Sequence, residues 1–199
     1  MANSIATKQK IYTQRLLRLN YVRWKTWFDV QGPYRRNLAM LQPGKTIDVG
    51  CGIGRHLKNL SNDSIGLDHN KYSIKQARQL GLLAFTPAGF KRSKWSKKTA
   101  FDSLLLSHVL EHLTYSEGLK LIQTYTPFLK YNGKLIIFCP QEKGYASDST
   151  HVTFLTKSKL EAMVKQAGYD VVRSGSFPFP RPLGKIFKYN EFVIVGQKS

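Results

Sequence analysis

The sequence predicts an α/β protein built on one doubly wound, mostly parallel sheet with helices on both faces. Three observations predict it. The run TIDVGCGIGR, Thr46 to Arg55, reads as a strand feeding a glycine turn, and the apolar-periodic segment HLKNL follows at once as a helix. Phe101 to Leu106, FDSLLL, is apolar at nearly every position, as a strand covered on both faces must be. Further strand and helix patterns then alternate to the end of the chain, which is the signature of a parallel sheet with crossover helices. The 199 residues, 42% hydrophobic, suffice for a sizeable core, so one domain is expected over 1–199, with 1–42 as an N-terminal helical cap.

In that cap, Thr7 to Phe28 reads as a helix with Leu17, Tyr21, Trp24 and Phe28 on one stripe and Lys8, Lys10, Arg15, Arg18, Arg23 and Lys25 around it. Gln31-Gly32-Pro33 breaks the pattern, and Tyr34 to Leu41 forms a second short helix before the Pro43-Gly44 turn. In the first strand, Thr46, Ile47 and Val49 favour extended structure, and Gly50, Gly52 and Gly54 then recur at every second position. Such a turn takes dihedrals closed to other residues and lets a ligand approach where no Cβ intervenes. Its amides and the N-terminus of the following helix suit an anionic or polar ligand. Asp48, inside the strand end, is well placed for a cationic amine, and Asp68 ends the next strand where a carboxylate would hold ribose hydroxyls.

Asn70 caps a helix from about Lys71 to Leu80, closed by Gly81, and LLAFT is the third strand. KRSKWSKK, Lys91 to Lys98, sets five positive charges around Trp95, as a solvated loop or a nucleic-acid contact. Ser107 and His108 close the fourth strand at the edge where open parallel sheets bind ligands. Thr114 and Glu117 form a capping box for a helix to about Leu129, and Asn132-Gly133 turns into the fifth strand, LIIFC. Pro140 to Phe154 is a long polar loop of the kind that is usually functional. Thr156 to Gln166 is helical with Gly168 as its stop; GYDVVRSGSF and NEFVIVGQK are the last two strands. The prolines of the connector between them, FPFPRPLGKIFKY, exclude a helix or central strand.

No run of about 20 apolar residues occurs and the N-terminus lacks a secretory block, so the protein is expected in the cytoplasm without a transmembrane segment. Cys51 and Cys139 read as reduced, buried thiols. A formal charge of +19, from 31 Lys and Arg against 12 Asp and Glu, attracts phosphate-bearing partners, whether nucleic acid, an anionic membrane or an acidic substrate, without choosing among them.

The D-x-G-x-G-x-G of Asp48 to Gly54, the acid at Asp68, FDSLLLSHVLEHL and LKYNGKLIIFCP together resemble the motifs of the class I S-adenosylmethionine (SAM)-dependent methyltransferases, from about Lys45 to the C-terminus. The resemblance implies seven strands in the order 3-2-1-4-5-7-6, the last antiparallel, and SAM as cofactor. It implies cofactor contacts from Asp48, Gly50, Cys51, Gly52, Gly54, Asp68, His69, Ser107 and His108. Many relatives also carry an acid after strand three for the adenine amino group. Here that stretch is Thr86 to Phe90 without an acid, which leaves backbone groups near Gly89 or Phe90 for the task.

Methyl transfer from a sulfonium mainly requires placing the acceptor and removing a proton. Candidates are His108, Glu111 and His112 in SHVLEH, and Glu142, Tyr145, Asp148 and His151 in the loop after strand five; His112 and His151 are the expected catalytic pair, as general bases near neutral pKa. Glu111, His112 and His151 are also of the types that hold a divalent metal. Hen-type small-RNA 2′-O-methyltransferases, similar in their Glu-His pair and downstream histidine, carry a further glutamate where this chain has His108, and that departure points to a site without metal. The expected acceptor is small or lipid-linked. RNA as acceptor, and SAM binding without activity, are the alternatives; nothing in the sequence defines an oligomer.

Overall fold

In the computed structural model residues 32–198 are described, so the amphipathic helix expected over Thr7 to Phe28, like most of the cap, lies outside the described residues. Among the described residues seven strands form one sheet in the order β3-β2-β1-β4-β5-β7-β6, the expected order. The chain divides into two compact units that meet in sequence at Ser96 and Lys97.

The first unit begins with α1, Gly32–Met40. The Gly-Pro pair opens this helix where a break was expected, because a proline in the first turn gives up an N–H that has no helical partner. Strand β1, Thr46–Val49, is buried along its length and pairs in parallel with β2, Ile65–Leu67, with Asp48 opposite Gly66. A Cβ on Gly66 would stand 2.6 Å from Cys51 Sγ, which explains a glycine in mid-strand. Helix α2, Lys71–Gln79, starts where Asn70 Oδ1 accepts the amides of Tyr72 and Ser73 at 3.0 and 3.3 Å. Its Ile74 and Ala77 pack with Cys51, Leu57 and Ala84. Strand β3 is only Ala84–Phe85, parallel to β2, and the stretch after it winds into α3, Pro87–Lys91, with Thr86 as cap.

HLKNL does not form the expected helix. A single 3₁₀ turn, Leu57–Asn59, is all that follows the glycine turn. The turn-formers Ser61, Asn62 and Asp63 come too soon for enough helical bonds to offset nucleation.

In the second unit β4, Phe101–Ser107, runs parallel to β5, Leu129–Pro140. Strand β7, Glu191–Lys198, is antiparallel both to β5 and to β6, Tyr169–Phe177. Leu104, Leu105, Leu106, Leu135, Ile136 and Ile137 are all fully buried, each worth ~1.5–3 kcal/mol of transfer free energy, and this apolar slab fixes the ends of β4 and β5. Asn132-Gly133 is not a turn before the strand. Phe101 pairs with Leu129 but Ser103 with Lys134, so the pair lies in a bulge inside β5, with Asn132 at φ 60°. Helix α4, Tyr115–Tyr125, has the expected capping box and ends early, in a 3₁₀ turn around Pro127. Within the Pro140–Phe154 segment sits one short helix, α5, Glu142–Tyr145; α6, Lys157–Gln166, starts at its Thr156 cap and stops at Gly168, φ 87°. The proline-rich connector holds only a 3₁₀ turn, Arg181–Lys185. Among the described residues no helix is long and apolar enough to cross a membrane.

Candidate functional site

In the first unit Gly50, Gly52 and Gly54 have φ of 80°, 54° and 86°, the left-handed region that L side chains avoid. The amides expected to cradle a ligand are already used. Gly50 and Cys51 donate to Leu67 O at 2.7 and 3.1 Å, and Gly54 donates to Cys51 O at 2.9 Å. The amide of Gly52 donates to Asp68 Oδ2 at 2.9 Å and that of Asn70 to Asp68 Oδ1 at 2.7 Å. Asp68 therefore ties the glycine turn to the start of α2. Each of its oxygens keeps a lone pair for a hydroxyl donor. His69, half-exposed, stands with Nδ1 3.8 Å from Asp68 Oδ1.

Asp48 is 2% exposed, and its Oδ2 has no hydrogen-bond partner among the described residues. Burial, with the Asp68 carboxylate adding to it, raises its pKa to about 7. Burial and the same two acids also push the Cys51 thiol well up, so it is an unreactive filler. The amides of Gly89 and Phe90 donate to Thr86 Oγ1 at 3.1 Å and Thr86 O at 2.8 Å; an adenine amino group is itself a donor, so it is a carbonyl of this stretch that would receive it. Trp95 carries Lys45 Nζ and Lys94 Nζ at 5.2 and 5.4 Å from its ring, so its own chain supplies the cations around it.

The second unit presents the end of β4. His108, at φ 56°, places Nδ1 3.2 Å from Glu111 Oε1 and Nε2 2.8 Å from Glu191 Oε1. Burial pulls its pKa down, but the Glu191 and Glu111 carboxylates more than reverse this and raise it to about 10. Burial would likewise raise the 1%-exposed Glu111, yet the hydrogen bond and charge of His108 hold it below the usual carboxylate range. His108 is thus a held imidazolium. Glu191 escaped the sequence reading; an acid opening the apolar run of β7 was the signal for it.

His112 and His151 come together, with ring centroids 4.9 Å apart, and among the described residues no carboxylate is hydrogen-bonded to either ring to orient it. Main-chain carbonyls take that role. His112 Nδ1 donates to Thr150 O at 3.2 Å and His151 Nδ1 to Tyr145 O at 2.7 Å, which leaves the lone pair of each ring on Nε2. Asp148 orders this stretch by accepting from the amide and hydroxyl of Thr150, and Tyr145 stacks on His151. Glu111, His112 and His151 each offer an atom within 4.8 Å of the others. Glu142 is a framework group: its ion pair with Arg181 lowers its pKa.

A family model described as a methyltransferase domain matches residues 27–174. The chain belongs to that family. Among curated proteins, this chain is similar to cycloartenol-C-24-methyltransferase of Arabidopsis thaliana, 27% identical over 177 residues, which are 73% of this chain and 52% of that protein. The chain therefore spans about half the length of the curated relative it matches. Its fold is that of a SAM-dependent methyltransferase from Archaeoglobus fulgidus, at TM-score 0.67 and 18% identity over 89% of this chain and 99% of that one. Magnesium protoporphyrin IX methyltransferase of Synechocystis, solved with bound SAH, gives TM-score 0.67 and 14% identity over 98% and 97%. The methyl donor of the class is SAM.

Proposed function

We propose that this methyltransferase transfers the methyl group of SAM to a small-molecule or lipid-linked acceptor, with the donor held by the first unit. One observation carries this reading: a buried carboxylate oxygen of Asp48 without a partner, beside a glycine turn pinned by Asp68. A buried unpaired carboxyl is costly to ionise, and a cationic amine is the complement that relieves it. Asp68 receives ribose hydroxyls on its remaining lone pairs. Gly50, Cys51, Gly52 and Gly54 contribute close backbone approach and not amide donation. His69, Ser107 and His108 are proposed as further cofactor contacts, His108 not through its ring, whose two N–H groups are held by Glu111 and Glu191. The bound donor supplies an electrophilic methyl on a sulfonium.

His112 or His151 takes the acceptor's proton on its free Nε2, the tautomer being set by Thr150 O and Tyr145 O. Relatives named for cycloartenol and magnesium protoporphyrin IX support a small acceptor over RNA. So does Trp95, whose ring is shared by two of the chain's own lysines. A cytoplasmic setting belongs to the same proposal, supported by two buried free thiols, Cys51 and Cys139. Cell extract incubated with isotopically labelled SAM, followed by mass spectrometry, tests the reading. Label in a low-mass or lipid-extractable product is expected. Label in RNA overturns the acceptor, and donor binding with no labelled product leaves a SAM-binding protein without activity.

A further inference from the structure

The connector between β6 and β7 is rigidly based and apolar at its surface. At its base, the fully buried Asn190 donates Nδ2 to Gln141 Oε1 and Phe179 O, both at 3.1 Å, and accepts the Phe179 amide at 2.9 Å. Gln141, also fully buried, donates to Ser176 Oγ and Glu191 O at 2.7 and 3.0 Å. Gly184 lies against Gln141 so closely that a Cβ would collide with it. The segment is therefore clamped at both ends and at its middle.

What the clamp holds out is large and apolar. Ile186 is 71% exposed, and Phe179, Leu183 and Tyr189 are exposed beside it. The ring of Phe187 joins Phe179 at 5.1 Å to Tyr189 at 5.6 Å, so these three rings form one cluster, and Ile186 adjoins Phe187 in the chain. Leu183 and Ile186 share a turn, the amide of Ile186 donating to Leu183 O at 3.1 Å. Lys185 and Lys188 are exposed within the patch, and no acid occurs from Pro178 to Asn190. Ordering polar groups to present aliphatic side chains to water has a cost that a soluble loop without a partner does not require.

We propose that this connector docks on an anionic lipid surface. Ile186 and Leu183 insert at the boundary between headgroups and acyl chains, Phe179 and Tyr189 lie at headgroup depth, and Lys185 and Lys188 meet lipid phosphates. The +19 charge of the chain adds long-range attraction to such a surface. Aliphatic Ile186 and Leu183 at the outermost positions favour lipid over single-stranded RNA, whose bases stack on rings. Docking bears on the acceptor proposed above, since it brings the enzyme to lipid-linked molecules, but vesicle binding is measured without the methyl donor and is decided separately.

The test is co-sedimentation of the full chain with phosphatidylcholine vesicles carrying about a third phosphatidylglycerol, against phosphatidylcholine alone. Binding to the anionic vesicles only is expected. The pair Leu183→Asp and Ile186→Asp should weaken it about tenfold or more, with an unchanged thermal midpoint because both side chains are exposed. Lys185→Glu with Lys188→Glu should weaken it and flatten its salt dependence. Absence of binding, or binding equal in wild type and both variants, overturns the proposal. So does a concentration-dependent dimer lost in Ile186→Asp without vesicle binding, which assigns the patch to a second copy. Oligonucleotide binding lost in the lysine variant, again without vesicle binding, assigns it to RNA.

Discussion

Asp48 in the first unit and Glu111 in the second are carboxylates of nearly equal burial, 2% and 1% exposed, and their pKa values move in opposite directions. Asp48 has an oxygen with no partner and a pKa raised to about 7. Glu111 has His108 at 3.2 Å, Cys139 Sγ at 3.8 Å and a lowered pKa. Burial is the same for both, so the partner decides. On the reading proposed above, Asp48, the acid left incomplete, is the one that receives a cation. The pH signs follow. Asp48 holds a proton in the folded state that the unfolded chain has lost, so its contribution to stability falls as pH rises from about 4 to 7. Glu111 contributes at neutral pH and loses its contribution in acid; His108 contributes fully below its ordinary 6.5 and loses it as pH rises through about 10.

The greatest effect is expected at the pair His112 and His151, and a smaller one at His108. His112→Ala or His151→Ala, whichever is the base, should lower turnover about 10²- to 10⁴-fold with SAM affinity nearly intact, and the wild-type rate should rise with pH through an apparent pKa of about 6–7. A chelator should change nothing. Loss of turnover on chelation, restored by Mg²⁺ or Mn²⁺ but not in Glu111→Ala, would make the pair metal ligands. If neither alanine variant slows the reaction, catalysis rests on placement alone.

Next in size, His108→Ala should destabilise the fold by about 2–3 kcal/mol in urea unfolding, because it leaves Glu111 buried and unpaired. This is less than the ~3–5 kcal/mol of a fully buried pair, since the His108 side chain is 39% exposed. The loss should shrink as pH rises toward 10, where wild-type His108 no longer holds its charge. A variant as stable as wild type at pH 7 would show that Glu111 is not held by His108.

That Asp48 and Asp68 flank the glycine turn was legible in the sequence and the carboxylate partners of His108 were not, for a reason of distance along the chain. Strand, glycine turn and acid lie within one short stretch of consecutive local signals, and the parallel pairing of β1 with β2 brings Asp48 and Asp68 together. The His108–Glu191 contact joins residues 83 positions apart, one just after β4 and one opening β7, two strands that do not pair and are separated in the sheet by β5. The same limit applies to the base of the connector, where Asn190 and Gln141 are 49 apart. Two local readings failed for another reason: the helix after Gly54 and the turn at Asn132-Gly133 were plausible in isolation, but early turn-formers and the β4–β5 register overrode them. Amide availability in the glycine turn was invisible too, because it depends on where Leu67 O and Asp68 point.

Asp68→Ala sharpens the comparison within the first unit. It should weaken SAM binding by about 1.5–3 kcal/mol in calorimetry, through lost charge-assisted bonds to the ribose. The glycine turn should also show faster amide exchange, since the amides of Gly52 and Asn70 lose their acceptor. Unchanged affinity would count against the cofactor assignment.

Whether the unpartnered oxygen of Asp48 receives a cationic ligand is read by calorimetry of SAM binding from pH 5.5 to 8.5, in buffers of differing ionisation enthalpy. A cation binds the ionised carboxylate, so affinity should rise with pH up to about 7 and level off above, with a proton released to the buffer on the acid side. Asp48→Asn should abolish both the slope and the proton release and weaken binding at pH 8 by about 1–2 kcal/mol. A pH-independent affinity, no proton release, and an asparagine variant that binds like wild type would contradict the account.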